Sequence, residues 1–266
     1  MTHPYSEQKN RTFSIVSGKG GVGKSLTAVN LAETLARNGF SVALFDAHLG
    51  HSSCAILMNE AVQYSLYDYA CERCTLEETF QRTLSGVTVV TGALEPLDQY
   101  AEDALMIEAL NHALHRLQKT HQIILIDAPS GTHTTVTWTL EQSDAAILLL
   151  VDEPTAVADA YRLVKRTWQH TPDFPFYTVV NFADTEAEAL GVQDRFSLIT
   201  EHFTGQRPEY MGWIPFSPEV RQSVTLQYPV TRKPGALRNA FNQIAARTIR
   251  ACKTITYIKK NPAISN

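Results

Sequence analysis

Phe13-Ser14-Ile15-Val16-Ser17-Gly18-Lys19-Gly20-Gly21-Val22-Gly23-Lys24-Ser25-Leu26 is the stretch from which the fold of this chain is read. Residues 18–25 fit G-x-x-x-x-G-K-[ST], a glycine-rich turn whose backbone N–H groups converge on one spot. The apolar run before it reads as a buried strand. After it, Ala28, Leu31, Ala32, Leu35 and Ala36 share one face of a helix expected over 24–37. A turn between a strand and a helix N-terminus collects unpaired N–H donors and partial positive charge, so it binds polyphosphate. Gly18, Lys19, Gly20, Gly21, Val22, Gly23, Lys24, Ser25 and Leu26 are therefore the expected nucleotide contacts. The pattern assigns Lys24 to the β- and γ-phosphates and the Ser25 hydroxyl to Mg²⁺.

The same alternation continues along the chain. Strands are expected over 12–17, 41–46, 87–91, 122–127, 145–152, 176–181 and 210–214. Helices are expected over 24–37, 75–83, 103–119, 135–141, 155–170, 186–203 and 235–255. Strand and helix in repetition predict an α/β fold, a mostly parallel twisted sheet with helices on both faces. Ligands of such sheets sit outside the carboxyl ends of the strands. Ser17, Asp46, Asp127, Asp152 and Asn181 would all end strands on that rim. No linker or repeat interrupts the pattern, so residues 12–255 read as one domain between tails 1–11 and 256–266.

Composition narrows the classes. The chain has 266 residues, 44% of them hydrophobic, enough for a sizeable core. A net charge of −4 supplies no global basic field, which argues against DNA as a partner. No apolar run approaches the roughly 18 residues that span a bilayer, and residues 1–11 lack the apolar segment of a signal peptide. Four cysteines in this length make no disulfide framework, so a reduced, cytoplasmic protein is expected.

Two acids complete the expected site. Ile123-Ile124-Leu125-Ile126-Asp127 is an apolar strand ending in a carboxylate, as a Mg²⁺-facing aspartate near the γ-phosphate requires. Gly131, four residues on, would let backbone approach that phosphate. Asp46 ends a second such strand and could hold metal-bound water. The metal set is thus Ser25, Asp46 and Asp127.

Lys19, with Gly-Gly-Val-Gly-Lys-Ser after it, resembles the deviant phosphate loop of the MinD/ParA ATPases. Asp127-Ala-Pro-Ser-Gly resembles that family's D-x-P-x-G switch. The segment from Ile214 to Val224 resembles the family's I-P-x-D-x-x-V-x-x-A-V stretch, and Asp159-Ala-Tyr-Arg-Leu-Val-Lys165, with Tyr64-Ser-Leu-Tyr-Asp and Cys74-Thr-Leu-Glu-Glu, resembles the flagellar-number regulators within it, the FlhG or FleN branch. The resemblance implies an ATPase in which Lys19 crosses a dimer interface to the partner's nucleotide. ATP would then join two subunits into a homodimer, and a regulatory protein would read the switch. It also implies that Asn181 reads the adenine edge and that the backbone near Pro215 flanks the base. Lys19, Lys24, Asp46, His48 and Asp127 form the expected catalytic set.

The departures are informative. The family writes D-x-D, with the second aspartate positioning attacking water, where this chain has Asp46-Ala47-His48; His48 either fails in that task or positions the water itself. Slow or partner-dependent hydrolysis follows as an expectation. Near the N-terminus, Tyr5-Ser6-Glu7-Gln8-Lys9 keeps only the glutamine of the branch's D-Q-A segment. Four further readings stay open: a DNA-segregation ATPase, an iron–sulfur carrier using Cys71 and Cys74, a nucleotide-locked scaffold without turnover, and membrane docking by the last helix. That helix sets Leu237, Phe241, Ile244, Ala245, Thr248, Cys252 and Ile255 on one stripe, with Arg247, Arg250 and Lys253 to another side.

Overall fold

The computed structural model describes residues 10–50, 52–94, 103–130 and 134–260, with backbone only at 103, 104 and 256–260. The expectations for residues 5–9 and for Gly131 lie outside the described residues.

Eight strands form a single sheet. They are β1 (Arg11–Val16), β2 (Val42–Leu49), β3 (Phe80–Arg82), β4 (Thr88–Ala93), β5 (Ile123–Asp127), β6 (Ala145–Leu150), β7 (Phe176–Ala183) and β8 (Glu209–Pro215). Their order is β3-β4-β2-β5-β1-β6-β7-β8, parallel except for the short β3 at one edge. Every position of β1, β5 and β6 is buried, because helices cover both faces and no side can stay polar.

The helices are α1 (Lys24–Arg37), α2 (Cys54–Met58), α3 (Leu66–Ala70), α4 (Asp103–Thr120), α5 (Thr134–Glu141), α6 (Pro154–His170), α7 (Glu186–Thr204), α8 (Pro218–Thr225) and α9 (Ala236–Lys260). Alternation along each strand divides the core. Phe13, Ile15, Leu44, Leu125 and Ile147 pack against α1 and α9 through Leu31, Leu35 and Phe241. On the opposite face, Phe45, Ile124 and Ile126 meet Leu110 and Leu117 of α4. Val16, Leu148 and Val180 meet Leu163 of α6 and Phe196 of α7.

Four expectations change. The helix expected over 75–83 is a single 3-10 turn, Glu77–Thr79, followed by β3. Phe80, Gln81 and Arg82 pair with Val90, Val89 and Thr88, so a tertiary partner overrides local helix preference. The short helices α2, α3 and α8 carry too few turns to show periodicity. Strand β6 stops at Leu150, so Asp152 ends no strand and instead pairs with Arg195 on α7. The tail boundaries move as well. Strand β1 begins at Arg11, which is 2% exposed, and α9 continues through Lys260.

The stripe that membrane docking would use is core. Leu237, Phe241, Ile244, Ala245, Thr248, Cys252 and Ile255 are all buried, so lipid contact through that stripe would require α9 to leave the sheet. No described helix is long and apolar enough to cross a membrane.

Candidate nucleotide site

The loop 18–25 follows β1 directly and is shaped by close approaches. Gly18 lies against α6, where a Cβ would meet the Ala160 nitrogen at 2.1 Å and the Asp159 carbonyl carbon at 2.3 Å. Gly23 caps α1 with φ of 91°, in the left-handed region that favours glycine. A Cβ there would meet the Asn181 amide nitrogen at 2.5 Å. Gly20 and Gly21 are exposed at the tip, Val22 is buried beneath it, and Ser25 and Leu26 are half-buried in the first turn of α1. The first turn carries no acidic residue, which leaves the helix N-terminus open to an anion.

Lys24 is only 5% exposed. Its Nζ donates to Ser130 Oγ at 2.5 Å and to Ser17 Oγ at 3.2 Å. Burial lowers its pKa, with the negative charge of Asp127 acting against the shift. Lys19 is the opposite case. It is 44% exposed, and its Nζ reaches Glu153 Oε2 at 2.5 Å. An exposed pair of this kind is worth about 0–1 kcal/mol, so the contact holds Lys19 only loosely.

Register brings the two acids together. Strands β2 and β5 are parallel neighbours with Asp46 directly opposite Asp127, and both are fully buried. Asp46 accepts from His48 N (3.1 Å), His48 Nδ1 (2.8 Å), Ser52 Oγ (2.7 Å), Ser53 N (2.9 Å) and Cys54 N (3.0 Å). Burial pushes its carboxyl upward, yet His48, Ser52 and Cys54 together bring it below the ordinary carboxylate range. Asp127 has fewer partners. Its Oδ2 accepts from Cys54 Sγ at 3.4 Å and lies 3.6 Å from His48 Nδ1. Its Oδ1 is buried with no hydrogen-bond partner among the described residues. Burial, then the charge of Asp46, raise its pKa to about 6, against the pull of His48, Ser25 and Lys24.

That orphaned oxygen is what a hard cation at this point requires, and the Ser25 hydroxyl is near enough to act on the same carboxyl. The donor set therefore fits magnesium through Ser25 and Asp127. Of the two roles expected of Asp46, direct ligation is the less favoured, since both its oxygens already serve protein donors. The carboxylate fits an outer role, bonding to metal-bound water, better than direct ligation.

Asn181, expected at the adenine edge, bonds to the loop. It is 2% exposed, its Nδ2 donates to Val22 O at 2.8 Å, and its Oδ1 accepts from Phe182 N at 3.0 Å. The amide ties the end of β7 to the loop. Pro215 ends β8 one strand away, on the same rim. Cys71 and Cys74 are exposed and half-buried, and neither joins a group of three or more His, Cys, Asp or Glu ligand atoms among the described residues. A cavity of about 310 Å³ between α5 and α6, lined by Val136, Leu140, Leu163 and Phe174, shares no residue with the loop.

A family profile described as ParA, NUBPL iron-transfer P-loop NTPase, matches residues 8–249. The chain belongs to the ParA family of P-loop NTPases. Within the ParA family it is 27% identical over 220 residues to the antiactivator FleN of Pseudomonas aeruginosa, covering 83% of this chain and 79% of that protein. It is 23% identical over 223 residues to the flagellum site-determining protein YlxH of Helicobacter pylori, covering 79% and 71%. The septum site-determining protein MinD of Pyrococcus horikoshii, solved with Mg-ADP, superposes with a TM-score of 0.74 at 21% identity, covering 92% of this chain and 98% of that one. That last likeness shows the shared fold.

Sequence placed Ser17 and Ser130 near the site but gave no sign of their bonds to Lys24, and Glu153, Ser52 and Cys54 carried no sequence signal at all. Ser52 and Cys54 reach Asp46 through the turn into α2, which has no periodic pattern.

Proposed function

We propose that this chain binds ATP with magnesium at residues 18–25 and forms a face-to-face homodimer when ATP is bound. Its output is the change of oligomeric state, read by a regulatory protein partner. The observation that carries the reading is the unequal pair of lysines. Lys24 is buried and aimed inward, whereas Lys19 projects from the same loop with only an exposed carboxylate to hold it. A lysine so placed is free to reach a second subunit. Similarity to FleN and YlxH supports a role in regulating flagellar number or placement.

In the proposed reaction, Lys24 and the loop N–H groups offset phosphate charge as water attacks the γ-phosphoryl group in line. Magnesium, when bound, neutralises charge on the phosphate oxygens. Ser130 and Ser17 hold the Lys24 ammonium in place, so little reorganisation is needed at the moment of transfer.

His48 limits turnover in this scheme. A carboxylate offers several lone pairs to an attacking water, whereas an imidazole offers one at most. Here Nδ1 is already engaged by Asp46. The wild type should therefore hydrolyse ATP slowly, and His48→Asp should raise turnover at least about tenfold, within the range of a positioned base. The same change sets a third carboxylate beside two buried ones, so the nucleotide-free melting temperature should fall. An aspartate variant no faster than wild type rejects this role for His48.

Gel filtration without nucleotide, with ADP and with ATP tests the switch. The expected result is a shift from monomer to dimer with ATP alone. Lys19→Ala should bind ATP with near-normal affinity and lose the shift. Unchanged elution of the wild type in all three conditions would reject the dimer model.

A further inference from the structure

We propose that Cys54, His48 and Asp127 form a binding site for a soft divalent cation of the zinc type, whose occupation withdraws Asp127 from magnesium and holds the ATP switch off. The site itself stands independently of nucleotide, and only its effect on the switch rests on the reading above.

Three elements bring these side chains together. Asp46 and His48 lie two apart on β2 and so share a face of the sheet, and register sets Asp127 of β5 opposite Asp46. Cys54 opens α2 and points its thiol at the same pair. Its Sγ lies 3.4 Å from Asp127 Oδ2, and His48 Nδ1 lies 3.6 Å from that oxygen. Around a tetrahedral zinc, bonds of about 2.3 Å to sulfur and about 2.0–2.2 Å to nitrogen and oxygen set neighbouring ligand atoms about 3.3–3.7 Å apart. Both separations fall within that span. Magnesium prefers oxygen and gains nothing from a thiol or an imidazole, whereas zinc takes both.

A second observation points to the same spot. Asp127 Oδ1 is buried with no hydrogen-bond partner among the described residues, so a cation beside this carboxyl satisfies an otherwise orphaned acceptor. Cys54 is itself fully buried, and a thiol packed for volume alone would face apolar atoms. This one donates to a carboxylate instead.

On coordination the thiol proton leaves to solvent, and the Nδ1 proton passes to Nε2, so the imidazole stays neutral. Zinc, the thiolate and the Asp127 carboxylate then sum to zero charge, which relieves the repulsion between two buried carboxylates. Asp46 gives up its bond to the ring and keeps those that Ser52 Oγ, Ser53 N and Cys54 N make to Oδ2. Its Oδ1 is then able to accept from a water in the fourth position, as outer partners of a metal commonly do. The His48 side chain is 22% exposed, which leaves an entry path for the ion. With Asp127 held by zinc, Ser25 loses its partner in binding magnesium.

Zinc affinity of the nucleotide-free full chain, read by competition with a chromophoric chelator, tests the site. Cobalt in place of zinc should give a tetrahedral d–d spectrum with a thiolate charge-transfer band. Cys54→Ser should lose that band and weaken zinc at least about 100-fold, and His48→Gln should weaken it at least about tenfold, since a ligand counts for no less than an outer partner. The band should persist when Cys71→Ser and Cys74→Ser are combined. X-ray absorption of the zinc-loaded wild type needs no variant. It should show one sulfur at about 2.3 Å and nitrogen or oxygen at about 2.0–2.2 Å. A band that survives Cys54→Ser, zinc affinity unchanged in His48→Gln, or a metal shell with no sulfur or with two would overturn the site. The wild type loaded with one equivalent of zinc and desalted should lose the ATP-driven shift from monomer to dimer. Cys54→Ser treated alike should keep the shift, because serine retains the backbone N–H that supports Asp46. An intact shift in the zinc-loaded wild type would overturn the control of the switch. A wild type that binds zinc but, when free of zinc, fails to bind Mg-ATP would defeat the nucleotide reading and leave the metal site standing.

Discussion

Lys24→Met is expected to lower ATP affinity by about 10- to 100-fold and turnover by a further 10²- to 10³-fold. The first figure is the loss of charge-assisted hydrogen bonds to phosphate. The second is the scale of removing one preorganised donor from a transition state. Stability should move the other way. The ammonium is almost wholly buried, burial is the larger influence on it, and Asp127 only partly compensates. A methionine of similar length removes that desolvation cost and leaves two serine hydroxyls that can turn to water or to each other. The nucleotide-free melting temperature of Lys24→Met should therefore not fall below that of the wild type. ATP titration and thermal melting of the same preparation check both signs. Normal ATP affinity in a folded Lys24→Met protein would remove the loop from the nucleotide site.

Gly18→Ala should act by sterics alone. Its methyl would lie 2.1 Å from a backbone nitrogen and 2.3 Å from a backbone carbonyl carbon of α6. Neither atom belongs to a flexible side chain, so either α6 or the loop must shift. Overpacking of this kind costs about 1–3 kcal/mol or more, and the upper end applies where backbone must move. At about 3 kcal/mol, a drop in melting temperature of roughly 6–12 °C follows for a chain of this size. ATP affinity should fall too, because the loop turns where Gly18 meets α6 and its N–H groups would no longer converge. Gly21→Ala is the contrasting control for space, since nothing lies within 4 Å of its Cβ position. Its φ of 77° still strains an alanine, so a small loss is expected there, well below that at residue 18. Equal losses at the two positions would show that backbone conformation, not contact with α6, governs the loop.

Much of the molecule was legible in the sequence because its signals are local. The pattern at 18–25 specifies a strand, a turn and a helix start within fourteen consecutive residues, 13–26, and α1 spans the expected 24–37. The long apolar strands and amphipathic helices fall within a few residues of their expected bounds, since each declares its period over enough residues to be read. Elements of three to eight residues, such as β3, α2, α3 and α8, are set by what they pack on. Phe80, Gln81 and Arg82 are strand because Thr88, Val89 and Val90 offer them an edge.

By itself the sequence determined the phosphate loop, the α/β class and the presence of Asp46, His48 and Asp127 at or near strand ends. Tertiary structure decided what those residues do to one another. Only the β2–β5 register sets Asp46 opposite Asp127, with His48 Nδ1 within reach of both. Only the meeting of the loop with Ser130 and Glu153 separates a buried lysine from an exposed one. Only the β7–β8 bulge takes Phe182 out of the core pattern, while Asn181 turns inward to bind the loop. The face of α9 was likewise ambiguous until β8 and α1 were seen to cover it. The physical reason is common to all four. Periodicity and spacing constrain a residue relative to its chain neighbours, whereas charge, burial and strain arise from partners tens to hundreds of residues away.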